Sequence, residues 1–232
     1  MEEIEEIKKR YERRKLLSEN TRYSYFNKGN LFIIQERQRK LLDLLYRQGF
    51  GSLREMKILE VGCGTGGWLR DFVQWGAKPG NMYGVDLLEE RIEIAKNVNP
   101  NFNFFCANAE KLDFGDGSFD IVLVATCFTS ILDSEMKENI AREITRVSKG
   151  DGIVLWYDFR YNNPWNRDVR GIEKKEIESL FGGCDCDFDL ITLLPPIARR
   201  LAPLSLMACE LLAKIPFLKT HYLAVIKKKQ PK

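Results

Sequence analysis

Histidine is almost missing from this chain: His221 is the only one in 232 residues. Six cysteines are scattered at 63, 106, 127, 184, 186 and 209, and Cys184 and Cys186 form only C-x-C. With one imidazole and no paired thiol spacing, no familiar zinc pattern can be written, so no metal is expected. Four of the thiols sit in apolar or motif surroundings and read as small hydrophobes, which places the chain in a reducing, cytoplasmic setting. Long apolar runs are lacking as well, and nothing approaches the ~20 residues that span a bilayer. The first residues, MEEIEEIKKR, are too charged for a signal peptide. Net charge is nearly absent: 36 basic against 33 acidic residues leave +3, much of it in the final KKKQPK, which reads as a solvated tail. Nucleic acid is therefore not an expected partner. No internal repeat or linker is visible. The length suits one domain over 1–232 with a sizeable core.

What is present is a glycine cluster. Lys57 to Leu69 reads KILEVGCGTGGWL, an apolar run reaching Glu60 and then breaking at Gly62, Gly64, Gly66 and Gly67 before a helical stretch, Leu69 to Trp75. A strand, a glycine turn and a helix make a ligand-binding edge, because glycine permits left-handed dihedrals and close backbone approach. The first turn of the helix adds unpaired N–H groups. The spacing fits two cofactors. Gly62, Gly64 and Gly67 satisfy G-x-G-x-x-G for a dinucleotide, whereas Glu60 with Gly62, Gly64 and Gly66 satisfies the E-x-G-x-G-x-G pattern of S-adenosylmethionine sites. A carboxylate at Glu60 would repel a pyrophosphate but suits an ammonium and a sulfonium, and so favours S-adenosylmethionine over NAD.

Residues 2–17 have a narrow apolar stripe at helical spacing, and 31–47 resume that period until Gly49 ends it. The loop between them is rich in aromatics; Tyr25 and Phe26, with Tyr23, could close over a ligand or simply pack. Beyond the glycines, MYGVD is a second strand ending in Asp86, about twenty residues on, where an acid usually meets a ribose. Glu89–Val98 reads as a helix and Phe102–Ala107 as a strand. FDIVLVA, 119–125, is apolar throughout and so a strand buried on both faces. A helix follows over 134–147 with Ser134 as its N-cap. Gly150-Asp151-Gly152 reads as a turn into a fifth strand, Ile153–Phe159. Then come a helix at 173–181, strands at 188–194 and 222–228, and between those strands a proline-broken apolar insertion, 195–220. Alternation of strands and helices predicts an α/β fold with a parallel sheet, whose ligands bind outside the carboxyl ends of the strands.

In this order the motifs resemble those of the class I S-adenosylmethionine-dependent methyltransferases, in the small-molecule group that includes the ubiquinone and menaquinone methylating enzymes. ILEVGCGTG matches the first motif, GVDLLEERI the second, CANAEKLDFGDGSFDIV the third and fourth, and REITRVSKGDGIVLW the helix, turn and strand that follow. The resemblance implies a Rossmann-like, doubly wound, seven-stranded sheet, mostly parallel with an antiparallel last strand and helices on both faces. It divides the chain into a helical cap at 1–50, a cofactor-binding core at 51–160, and substrate-side loops, the helical insertion and closing strands at 161–232. It assigns S-adenosylmethionine as cofactor, S-adenosylhomocysteine as product and no metal. The methionine end would be held by Glu60 and the backbone of Gly62 and Gly64, with Cys63 and Gly66 in the same turn. Asp86 would take the ribose and Leu87 lie beside the adenine. Asn108 stands where the family usually has Asp, Ala109 would offer its N–H to the ring, Glu110 follows, and Thr126 would border the methyl.

The stretch after the fifth strand, WYDFRYNNPWNRDVRGI, resembles a bacterial subgroup linked to surface glycans and secondary pathways. Its residues Arg160, Tyr161, Asn163 and Trp165 suit a substrate site, or else a loop knitted by its own hydrogen bonds. Methyl transfer needs orientation, exclusion of water and, for a hydroxyl acceptor, a base; Asp158 is the first candidate and His221 the second. The expected reaction is methylation of a small molecule, at a hydroxyl oxygen of a glycan, a lipid-linked compound or a secondary metabolite. The insertion 195–220, with bases beside leucines, could pack on the domain, form a dimer surface or touch a membrane surface. The sequence leaves oligomeric state open. An NAD-dependent oxidoreductase and a non-catalytic S-adenosylmethionine-binding protein are the competing readings.

Overall fold

The computed structural model describes residues 2–17, 23–162, 166 and 168–229. Two helices come first, α1 (Glu2–Leu17) and α2 (Lys28–Arg47). The second starts three residues earlier than its apolar period suggests, because the Asn27 side chain accepts from the N–H groups of Gly29 and Asn30, both at 3.1 Å. An alternating run follows: β1 (Ile58–Val61), α3 (Gly67–Gln74), β2 (Met82–Asp86), α4 (Glu89–Val98), β3 (Asn103–Cys106), β4 (Phe119–Ala125), α5 (Ser134–Val147) and β5 (Ser148–Phe159). The chain closes with α6 (Lys174–Leu180), β6 (Cys184–Leu193), α7 (Pro195–Leu201), α8 (Leu206–Leu212) and β7 (Lys219–Lys228).

Two local readings need correction. The N-cap of α5 is Asp133, whose carboxylate accepts from Met136 N at 2.6 Å; Ser134 is already helical. Gly150 to Gly152 is strand and not a turn, since β5 begins at Ser148 and pairs Phe119 with that residue across an irregularity in β4. Glycine is needed at 152 because a Cβ there would lie 3.0 Å from the carbonyl oxygens of Phe119 and Asp120.

The seven strands form one sheet in the order β3-β2-β1-β4-β5-β7-β6. β1 is central, with Glu60 in register with Gly84 on one side and Leu123 on the other, both pairings parallel. The β2–β3 and β4–β5 pairs are parallel too. The final strand runs antiparallel: Leu194 N donates to Leu218 O, whereas Lys229 N donates to Gly183 O, so one strand descends as the other rises. This is the expected doubly wound sheet with one reversed strand. β1 is buried at all four positions and β4 at all but Asp120, as apolar runs with helices on both faces must be.

By packing, the chain divides into two compact units. One comprises Gly51–Phe188 and Ala224–Lys232, with a core of β1, β2, β4 and β5 side chains. The other comprises Met1–Phe50 and Asp189–Leu223. Its core is built on small residues: Ala198, Ala202, Cys209 and Ala213 pack with Phe32 and Leu193. The helices approach closely there. A Cβ at Gly29 of α2 would fall 2.3 Å from the Arg199 Cα of α7.

Candidate functional site

The carboxyl ends of β1, β2, β4 and β5 share one edge of the first unit, as parallel pairing requires. The glycine loop leaving β1 is pinned to β2 by Gly62 N and Cys63 N, which donate to Val85 O at 2.8 and 3.0 Å. Gly62, Gly64 and Gly66 all have positive φ, which side chains other than glycine rarely adopt. Gly62 is fixed from behind, since a Cβ there would sit 2.8 Å from Cys127 Sγ. Gly64 is open: the nearest atom to its added Cβ is Arg91 Nη1 at 3.5 Å. At Gly64 the loop therefore presents bare backbone.

Two acids back this loop. Glu60 is 1% exposed and stands one residue before the end of the buried strand. Asp86, at the end of β2, accepts from Gly64 N at 2.8 Å through one oxygen and from Leu88 N at 2.9 Å through the other. Each carboxylate oxygen keeps a second lone pair, which is the acceptor pair a ribose diol needs. Ala107 N donates to Asp86 O at 3.1 Å and Cys106 Sγ reaches Leu87 O at 3.7 Å, so the start of the 107–110 turn lies against the end of β2. In that turn Asn108 accepts from Glu110 N at 3.0 Å and donates to Glu110 Oε2 at 2.8 Å, while Asn139 holds the other oxygen at 2.9 Å. The Asn108 amide thus shapes the turn that carries Ala109. The open left-handed Gly64 and the doubly anchored Asp86 fit S-adenosylmethionine. The buried Glu60 carboxylate would repel the pyrophosphate of a dinucleotide.

At the end of β4 stands Thr126, exposed, with φ +49° and its N–H donating to Tyr157 O at 2.7 Å. A β-branched residue at positive φ is strained by about 1–3 kcal/mol, and such strain gathers where a binding edge must take a fixed shape. Cys127 follows, its thiol pushed up by burial and then by the charges of Asp158 and Asp86, so it is no thiolate nucleophile. Asp158 is 1% exposed. It accepts from Thr129 Oγ1 at 2.7 Å, Thr129 N at 3.2 Å and Phe159 N at 2.9 Å, and burial pushes its carboxyl up to about 6 against those bonds. Its carboxylate is committed to the 3₁₀ turn Phe128–Ser130. The sequence did not single out Trp68, whose ring meets Tyr157 at 5.1 Å between centroids. The signal available was its place in the first turn after the glycines. Arg160 lies 4.3 Å over the half-exposed Tyr161 ring. Asn163 and Trp165 lie outside the described residues.

His221, Tyr25 and Phe26 belong to the other unit. Tyr25 and Phe26 are exposed, Phe26 almost fully. His221 is 3% exposed, its Nδ1 is 2.9 Å from Thr220 Oγ1, and burial with the nearby Arg37 charge holds it down at about 3. Thr220 Oγ1 also donates to Thr192 O at 3.1 Å. Thr192 N and Leu193 N donate to the two oxygens of buried Glu36, each at 3.2 Å. No sequence motif marked Glu36.

A separate cleft of about 790 Å³ lies against α5 and α6, with Lys137, Arg142, Arg170, Glu176 and Lys228 on its walls. No glycine-loop residue, nor Asp86 or Thr126, lines it. Among the described residues no group of three or more His, Cys, Asp or Glu could hold a metal ion, and no helix is long and apolar enough to cross a membrane.

Residues 58–152 match a family model described as a methyltransferase domain. That stretch is similar to a methyltransferase domain. It contains the glycine loop, Asp86, the Asn108 turn and Thr126. The chain is 32% identical over 141 residues to a demethylmenaquinone methyltransferase of Lactococcus lactis, covering 59% of this chain and 54% of the relative. The chain thus spans about half the length of the curated relatives it matches. A solved S-adenosylmethionine-dependent methyltransferase from Archaeoglobus fulgidus superposes with a TM-score of 0.59 at 17% identity, covering 86% of this chain and 99% of that one. The [4+2]-cyclase SpnF does so with a TM-score of 0.61 at 18% identity, covering 85% and 83%. At such identities these structures speak for the class I methyltransferase fold alone, and the cyclase warns that one fold hosts more than one chemistry.

Proposed function

We propose that the chain is an S-adenosylmethionine-dependent methyltransferase acting on a small molecule, with residues 1–232 serving as one functional domain. The observation that carries this is the pairing of open, left-handed Gly64 with Asp86, whose carboxylate orders the loop and keeps acceptor capacity, beside a second buried acid at Glu60. When bound, S-adenosylmethionine supplies a methyl group already activated on a sulfonium. The chain's part is to hold and orient. Glu60 with the backbone of Gly62 to Gly66 takes the methionine end, Asp86 the ribose, and Leu87 with Ala109 the adenine. Thr126 fixes the border nearest the acceptor.

Of the hydroxyl acceptors expected, on a glycan, a lipid-linked compound or a secondary metabolite, we favour the last two, in which a phenolic or enolic oxygen can occur. Asp158 is spent on the Phe128–Ser130 turn and His221 is buried, so Asp158 serves as a positioning residue here and the reading favours a phenol- or enol-like hydroxyl that ionises without a strong protein base.

Titration calorimetry with S-adenosylhomocysteine and with NAD tests the cofactor. Binding of the first and not the second is expected, and the reverse result removes the proposal. Methyl transfer to phenolic against aliphatic hydroxyl acceptors then tests the acceptor class, with a clear preference for the aliphatic ones counting against it.

A further inference from the structure

The α7–α8 segment carries apolar residues on both of its faces. Toward its own core it turns Ala198, Ala202, Cys209 and Ala213, with Ile197, Leu201, Leu212 and Leu218 packed against them partly buried. Facing outward are large apolar side chains: Leu204 is 83% exposed, Met207 73%, Leu211 58% and Phe217 74%. On a helix of 100° per residue, Met207 and Leu211 lie about 160° from Cys209 on opposite sides of it. The outer face of α8 is therefore apolar as well as the inner one. Leu204 is exposed in the turn before the helix and Phe217 in the turn after it. An ordinary surface helix buries such residues, and four of them exposed along one short segment are the kind of apolar exposure that marks an interaction site.

Charge selects the occupant. Residues 194–219 carry four bases, Arg199, Arg200, Lys214 and Lys219, against one acid, Glu210, a net +3. Glu210 is itself neutralised by Arg39 at 2.5 Å. Arg200 and Lys214 are exposed and make no ion pair among the described residues. A second copy of this chain meeting face to face would set +3 against +3. An anionic bilayer complements the charge and accepts leucine, methionine and phenylalanine at its headgroup boundary, while the long basic side chains reach the phosphates.

We infer that the outer face of Leu204–Phe217 is a peripheral anchor for anionic lipid surfaces. Leu204, Met207, Leu211 and Phe217 enter the boundary, and Arg200 and Lys214 engage the headgroups. This goes beyond the methyltransferase reading and does not rest on it.

The test is flotation of the full chain with phosphatidylcholine vesicles and with vesicles containing about a third phosphatidylglycerol. Expected is binding to the anionic vesicles that falls at least tenfold in Met207→Asp/Leu211→Asp, and that loses its preference for anionic lipid in Arg200→Glu/Lys214→Glu. Leu204→Asp, in an exposed turn, gives the same loss without touching a helix. Circular dichroism and retained S-adenosylhomocysteine binding show that the variants are folded. Absence of binding to both vesicles overturns the inference, as does equal binding to both. It is also overturned if light scattering shows a dimer that Met207→Asp/Leu211→Asp dissociates, since the face then belongs to a second copy.

Discussion

Each compact unit holds one threonine in the left-handed region, Thr126 at φ +49° in the first and Thr192 at φ +67° in the second. Their surroundings differ in kind. Thr192 is buried, its N–H is taken by Glu36, and its carbonyl accepts from Thr220, which in turn meets His221. Thr126 is exposed and is held by a backbone bond to Tyr157 O at the end of β4. The buried case is strain absorbed by a polar network and serves the fold. The exposed case is strain displayed at the edge where the glycine loop and Asp86 also end, where the proposed function gives it a part in binding. Left-handed geometry alone does not separate the two, but the disposition of the backbone N–H does.

The largest effect should come from removing the group that supports Thr192. Glu36→Ala leaves two buried N–H groups without their acceptor, at roughly 1–3 kcal/mol each, so denaturant unfolding should report a loss of about 4 kcal/mol. A loss below about 1 kcal/mol would mean the network does not hold the turn. Next comes pH. His221 is held at about 3, below its ordinary 6.5. A depressed folded value makes this contribution present above 6.5 and lost as pH falls towards 3. At about 1.4 kcal/mol per unit, the loss between pH 7 and pH 4 is about 3 kcal/mol. His221→Gln should flatten that part of the stability curve, and an unchanged slope would count against a buried neutral ring.

The first unit should respond with the opposite sign. Asp158 is raised from 3.8 to about 6. A raised folded value gives a contribution fully present below 3.8 and lost as pH rises through 6, about 2 kcal/mol between pH 4 and pH 6. Asp158→Asn should remove that loss while keeping an acceptor for Thr129. Should the variant lose stability uniformly at every pH, the carboxylate is not the buried, raised group seen here.

How much of this could be read from the chain depended on the range of the interaction. The β1 run, the glycine loop and Asp86 lie within about thirty residues, and hydrophobic pattern and spacing reveal them. The end of β4 was legible because FDIVLVA can only be a buried strand. Glu36 was not, since its partners are 156 and 157 positions away and its neighbours give it an ordinary helical context. Asp158 was placed correctly at a strand end, but its role depends on Thr129, which no local pattern pairs with it. Gly150 to Gly152 reads as a turn because two glycines flank an aspartate, whereas the strand irregularity opposite Phe119 and Asp120 is what requires Gly152. The insertion 195–220 showed its composition but not which of its apolar residues face outward, because apolar residues look alike until a core is present to choose between them.

The smallest expected effect bears most directly on the comparison. Thr126→Gly relieves the left-handed strain on an exposed residue, so stability should rise by about 1 kcal/mol, the strain released less the added freedom of glycine in the unfolded chain. Thr192→Gly should bring no gain, because its buried side chain is lost along with the strain. If Thr126 shapes the binding edge, its gain in stability comes with weaker S-adenosylhomocysteine binding in calorimetry, by severalfold. A stabilised Thr126→Gly that binds the ligand as tightly as the parent would put both threonines in the same class, and the edge would then owe its shape to the glycines and Asp86 alone.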